Sequence, residues 1–100
     1  MSKGDGARGY LVECYWPGVT EQAVADAAHR AVQAAAEIRR QGHDVNFLTA
    51  ILVPADETVF CLFEGQETAV RAASHRAGVP VERVLESVRV DGNHPQTTGR

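Results

Sequence analysis

The feature that most constrains the fold is the order of its segments along the chain, some with the apolar spacing of strands and others with that of helices. Runs rich in β-branched and aromatic residues indicate strands, and apolar residues three or four positions apart indicate helices. The predicted elements are a strand at 10–16, a helix at 20–42, strands at 45–53 and 58–63, a helix at 66–77 and a strand at 83–90. This β-α-β-β-α-β order predicts a ferredoxin-like α+β sandwich.

Turn and capping residues support these boundaries. Thr20 suits the N-cap of the first helix, and Gly42 and Gly78 stand where the helices should end. The short polar link at 54–57 predicts a hairpin between the second and third strands.

The connections between the elements predict their arrangement. Right-handed crossovers place both helices on one face of an antiparallel or mixed sheet, and we expect strands one and three to be central, parallel neighbours. The domain should span residues 9–90. Flexible tails are predicted at 1–8, which are rich in glycine and charge, and at 91–100, which have no aliphatic side chain.

The other face of the sheet is predicted to be apolar. If Val12, Cys14 and Trp16 point to the helices, alternate residues point away from them. The residues predicted on this open face are Leu11, Glu13, Tyr15, Phe60, Leu62 and Glu64. A surface this apolar is unfavourable in contact with water. We therefore expect a second copy of the chain to cover it, in a homodimer formed through the open face.

The composition narrows the possible partners. With 10 basic and 13 acidic residues, a net charge of −3 predicts neither nucleic acid nor a membrane surface as a partner. The N-terminal residues lack the apolar core of a secretory signal, so we expect a cytoplasmic protein. Cys14 and Cys61 are not spaced as a CxxC motif, which favours reduced core residues over a soft-metal site.

Four segments of the chain resemble a known family. "ECYWPGVT", "VNFLTAILVP", "VFCLFEG" and "AGVPVERVLE" are similar in order and spacing to small ferredoxin-like nickel-binding proteins of Streptomyces and other bacteria, otherwise described as a domain of unknown function. The resemblance covers residues 10–88 and implies a cytoplasmic dimer that binds nickel at its surface and sequesters it. Gly65-Gln66 replaces the family's usual Ala-Pro-Asp or Ala-Pro-Asn, so the second helix should begin without its usual cap.

No set of ligands transfers from the family, so candidate metal ligands are taken from the residues themselves. Nickel(II) favours imidazole nitrogen together with carboxylate or water. Asp26 and His29 share the polar face of the first helix, His43-Asp44 follows Gly42, and His75 is on the polar side of the second helix. Solvated helix faces and a turn are the ordinary interpretations of the same residues. His94, in the predicted tail, is discounted.

Glu13 and Glu64 support an alternative function. Both project toward the predicted dimer face, where they could act as acid and base in a dimeric α/β-barrel enzyme or carrier of a small molecule. Ion pairs with Arg83 or Arg89 across the dimer would explain them equally well. The chain has no Ser-His-Asp set, phosphate loop or cofactor motif, which counts against this alternative. The family resemblance makes a nonenzymatic nickel-binding dimer the leading interpretation.

Overall fold

The structure is a computed structural model that describes residues 7–92. Its elements are β1 (Ala7–Tyr15), α1 (Glu21–Arg40), β2 (Val45–Val53), a 3₁₀ turn (Pro54–Asp56), β3 (Thr58–Gly65), α2 (Glu67–Ala77) and β4 (Val81–Arg89). The predicted ferredoxin-like α+β order is confirmed. The predicted tails lie outside the described residues except at 7–8, which belong to β1, and at 91–92.

The sheet has the strand order β2-β3-β1-β4 and is antiparallel throughout. Strands one and three are central neighbours as predicted, but the prediction that they run parallel is wrong. The crossover through α1 makes β2 parallel to β1, and the hairpin then turns β3 back between them. A strand inserted in this way must be antiparallel to both neighbours.

Helix α1 begins and ends as its sequence predicts. The Thr20 hydroxyl accepts a hydrogen bond from the Ala23 N–H at 3.1 Å, and Gly42 follows the helix at a φ of 95°. Small side chains on the inner side let the helix lie close to the sheet. The buried residues of α1 are Val24, Ala27, Ala31, Ala34, Ala35 and Ile38.

Helix α2 is shorter and begins without a side-chain cap. Gln66 occupies the N-cap position but its side chain makes no capping hydrogen bond, which confirms the expectation drawn from Gly65-Gln66. At the other end, Gly78 adopts the left-handed conformation that favours glycine, with a φ of 75°. Neither helix within residues 7–92 combines the length and the apolar character needed to cross a bilayer.

The core lies between the sheet and the two helices. Phe63, on β3, is the largest side chain that is almost fully buried, and its ring meets that of Phe47 edge to face with centroids 5.3 Å apart. Val12 and Cys14 of β1 are fully buried beside it, and Trp16 packs against the same cluster. The predicted assignment of alternate β1 residues to the helix side is therefore confirmed.

Candidate functional site

The outer face of α1 carries the first pair of candidate ligands, Asp26 and His29. Both are exposed, and each has a glutamine one helical turn away. The Gln22 amide donates to Asp26 Oδ1 at 3.0 Å, and Gln33 Nε2 lies 3.5 Å from His29 Nε2. This row offers a cation one carboxylate and one imidazole on a rigid helix, with solvent open to the remaining coordination positions.

His43 and Asp44 lie in the connection between α1 and β2, and both are exposed. The backbone here is held firmly, because the Asp44 N–H donates to Gln66 Oε1 at 3.3 Å and the Asp44 carbonyl accepts from the Gln66 N–H at 2.9 Å. The His43 N–H bonds to the Ile38 carbonyl at 3.3 Å. The two side chains therefore project into solvent from an ordered backbone.

His75 lies in the last turn of α2 and is exposed. Arg71 precedes it by one helical turn, so a guanidinium is presented on the same side of the helix. Both side chains line one groove. A permanent positive charge at this distance disfavours binding of a second cation, which makes His75 the weakest of the three candidate positions for nickel.

The candidate positions do not converge. Within residues 7–92, no three His, Cys, Asp or Glu side chains form a group that could hold one metal ion. The contacts between the helices are made by other residues: Arg30 Nε donates to the Ala77 carbonyl at 2.7 Å, and Arg76 pairs with Glu37 at 3.0 Å. A nickel site built on residues 7–92 would therefore need further ligands, from water or from another molecule. His94 lies outside the described residues.

The open face of the sheet carries two ion pairs, one on each side of Leu11 and Leu62. Arg83 Nε and Glu13 Oε1 lie 2.5 Å apart, and Arg89 Nη2 lies 3.7 Å from Glu64 Oε2. The hydrogen bond that Arg83 donates to Glu13, together with the negative charge of that carboxylate, raises the pKa of Arg83. The ion pairs proposed as an explanation of these glutamates therefore form within one chain, rather than across a dimer.

The register also separates the two glutamates. Glu13 is opposite Phe60, and Glu64 lies four positions further along β3. At roughly 3.3 Å per residue, this places them roughly 13 Å apart. The two carboxylates of one chain are thus too far apart to share a proton, so the acid and base alternative would need glutamates from two chains.

Cys14 and Cys61 are free and buried on the helix side of the two central strands. Cys61 is opposite Val12, so the two cysteines are diagonal neighbours on one face. A hydrogen bond with Cys61 and burial raise the pKa of Cys14, whereas the hydrogen bond from Cys14 lowers the pKa of Cys61. The expectation that both are reduced core residues agrees with this placement.

The structure contains a groove that the sequence does not predict. It has a volume of about 320 Å³ and lies between α2 and β4. Its lining residues are Arg71, Ser74, His75, Val79, Val81 and Val84. The one signal in the sequence was the cluster of valines around the start of β4, which no long apolar side chain of α2 could cover.

Comparison with known proteins identifies a family and a solved structure to which this chain is similar. Residues 10–86 match a family described as "Nickel responsive protein SCO4226-like". Among solved structures, the crystal structure of SCO4226 from Streptomyces coelicolor A3(2) has a TM-score of 0.59 and 27% sequence identity, over 79% of this chain and 94% of that one. No curated protein matches the chain.

Proposed function

The chain belongs to the SCO4226-like family of nickel-responsive proteins, and from this membership we propose that it binds nickel as a cytoplasmic homodimer and sequesters the metal. The observation that carries the proposal is the family match, which spans residues 10–86 and thus most of the folded body. The exposed histidines and carboxylates supply the donor types that nickel(II) favours.

Of the candidate ligands, Asp26 and His29 best suit the first coordination positions. They lie on one face of a well-formed helix, and the neighbouring Arg30 directs its guanidinium away to the Ala77 carbonyl. His43 with Asp44 forms a second candidate pair, and His75 a third position weakened by Arg71. Each position supplies at most two protein donors, so water or another molecule completes the coordination.

The distribution of apolar and charged residues on the open face supports the homodimer. Half-buried Leu11, Leu62 and Leu85 form one row across three strands. One ion pair lies on each side of this row. An apolar centre with charged groups at the rim is the usual arrangement of a protein interface. In such a dimer the helices face outward, which leaves the surface of α1 open to metal.

Calorimetric titration of tag-free, metal-depleted protein with Ni²⁺ tests the metal part of the proposal. We expect binding tighter than about 1 mM. We further expect its loss in a variant that combines His29→Ala, His43→Ala and His75→Ala, because imidazole is the strongest nickel donor on these surfaces. His94→Ala is the matched control, since it removes one histidine from outside the proposed positions and should retain binding.

Separate variants then assign the site. Asp26→Asn with His29→Ala should weaken the titration more than Asp44→Asn with His43→Ala, and His75→Ala should weaken it least. Heat of binding that is unchanged in the triple variant would overturn this placement of the ligands. The absence of any binding in the wild-type protein would overturn the nickel proposal itself.

A further inference from the structure

The groove between α2 and β4 has two chemically different walls. Its volume of about 320 Å³ lies at the lower end of the range found for small-molecule sites. Val79, Val81 and Val84 form one wall, which we call the valine wall. Arg71, Ser74 and His75 form the other wall.

The valine wall is exposed because β4 is an edge strand of the sheet. Val81 remains 41% exposed, and Val79 and Val84 are half-buried against the core. The register shifts between Glu13 and Cys14, so that Val81 is opposite Cys14 and Val84 is opposite Val12. Both valines therefore lie on the same side of the sheet as the core. They therefore form a firm apolar surface that continues the core outward and that favours an apolar group over water.

The opposite wall is a row of hydrogen-bonding groups on α2. Arg71, Ser74 and His75 are spaced i, i+3 and i+4, so they lie on one side of the helix. The Ser74 hydroxyl already donates to the Val70 carbonyl at 2.9 Å. Arg71 and His75 are consequently the groups that can donate to a ligand, and none of the residues that line the groove is acidic.

Arg71 can exchange its present partner. Its Nε and Nη2 both donate to one oxygen of Glu67, at 3.0 and 2.9 Å. The side chains of this pair are 54% and 49% exposed, and an exposed ion pair of neighbouring helical residues contributes little to stability. An incoming carboxylate can therefore take the place of Glu67 at modest cost, and the planar guanidinium can hold it through two parallel hydrogen bonds.

We propose that this groove binds a small monocarboxylate whose compact apolar body rests on the valine wall. The carboxylate contacts Arg71, with the His75 imidazole beside it, and the apolar body covers Val81 and Val84. The same charge that disfavours nickel at His75 favours an anion here. The proposal does not depend on nickel binding, because it uses neither α1 nor the connection at 43–44 and shares only His75, the weakest of the three candidate nickel positions.

The proposed monocarboxylate site is tested by titrating ¹⁵N-labelled, metal-depleted protein with 4-methylbenzoate. Binding is monitored by NMR through the backbone amide and arginine Nε resonances. We expect shifts confined to Arg71, His75 and the start of β4. Acetate lacks the apolar body and 4-methylbenzyl alcohol lacks the charge, so each should bind at least about tenfold more weakly, the effect expected for a lost charged hydrogen bond or buried ring.

Two variants locate the site. Arg71→Gln should weaken 4-methylbenzoate at least about tenfold, and Val81→Ser should weaken it by a smaller factor. Arg40→Gln, which removes an exposed arginine from the last turn of α1, should leave binding unchanged. Equal binding of the alcohol, shifts outside the groove, or an Arg71→Gln variant that binds normally would each overturn the proposal. None of these results bears on the Ni²⁺ titration, which is measured separately.

Discussion

The two faces of the sheet are built from alternate residues of the same strands, yet they differ in how far one chain completes them. On the helix side, Val12, Cys14 and Phe63 are at most 1% exposed. On the open side, Phe60 is half-buried and Tyr15 is 52% exposed. Strands that are apolar on both sides belong in a sheet that is covered on both sides. The two helices cover one side of the sheet, whereas the described residues leave the other side partly exposed.

The chemistry of the two faces differs as well. The helix side is packed with alanine, valine and two thiols, and it contains one buried polar residue, Ser74, among those described. The open side pairs its glutamates with arginines on either side of the row formed by Leu11, Leu62 and Leu85. The first arrangement suits permanent burial, and the second suits a surface that can meet a partner.

Replacing Phe63 by alanine should have the largest effect, because it empties the middle of the completed face. We expect a loss of about 3–5 kcal/mol in the free energy of unfolding, measured by urea denaturation. Phe60→Ala, on the same strand but the opposite side, is the matched control and should cost less than half as much at low micromolar protein concentration. Equal costs would mean that the two faces do not differ as described.

Leu62→Asp should have the next largest effect, and on assembly rather than on folding. A carboxylate in the middle of the open face would lose its water without a partner when two copies meet. We expect the dissociation constant of the dimer to rise at least about 100-fold, measured by sedimentation equilibrium. Thr68→Asp on the exposed start of α2 is the control for added charge. A wild-type protein that is monomeric at millimolar concentration would contradict the proposed dimer.

Local features of the fold could be predicted because each depends on residues close together in sequence. The bounds of β2 at Val45–Val53, the cap at Thr20 and the helix end at Gly78 are examples. The direction of β3 relative to β1 was predicted wrongly, although the crossover and the hairpin together require it. A crossover makes two strands parallel when it joins them directly, whereas β1 and β3 are joined by a crossover followed by a hairpin.

The functional residues were harder to predict because they depend on register and on distances between elements. Glu13 and Glu64 both point to the open face, as expected, but only the pairing of β1 with β3 shows that four positions separate them. His29 and His75 were each placed on a polar helix face, yet helix periodicity carries no information about which residues of two helices meet. The groove beside Arg71 results from how far α2 extends over β4, which no local pattern encodes.

The smallest expected effect is on the pH dependence of stability, which tests whether water reaches the helix side of the sheet. In wild-type protein, the hydrogen bond with Cys61 and burial raise the pKa of Cys14. Cys61→Ala removes this hydrogen bond but leaves Cys14 buried, and burial alone still raises the pKa of its thiol. An unfolded cysteine has a pKa of about 8.5, so above that pH the unfolded state loses a proton that folded Cys14 keeps. The unfolded state then binds fewer protons, and stability falls as the pH rises.

The expected loss is at most about 1.4 kcal/mol per pH unit above pH ~8.5, with no dependence on this thiol below it. Urea denaturation between about pH 8 and 10 measures the slope. A variant with both Cys14→Ala and Cys61→Ala is the reference, because it carries every other titrating group. If the two variants give the same pH profile, the Cys14 thiol reaches water in the folded protein, and the helix side is not the completed face that its packing indicates.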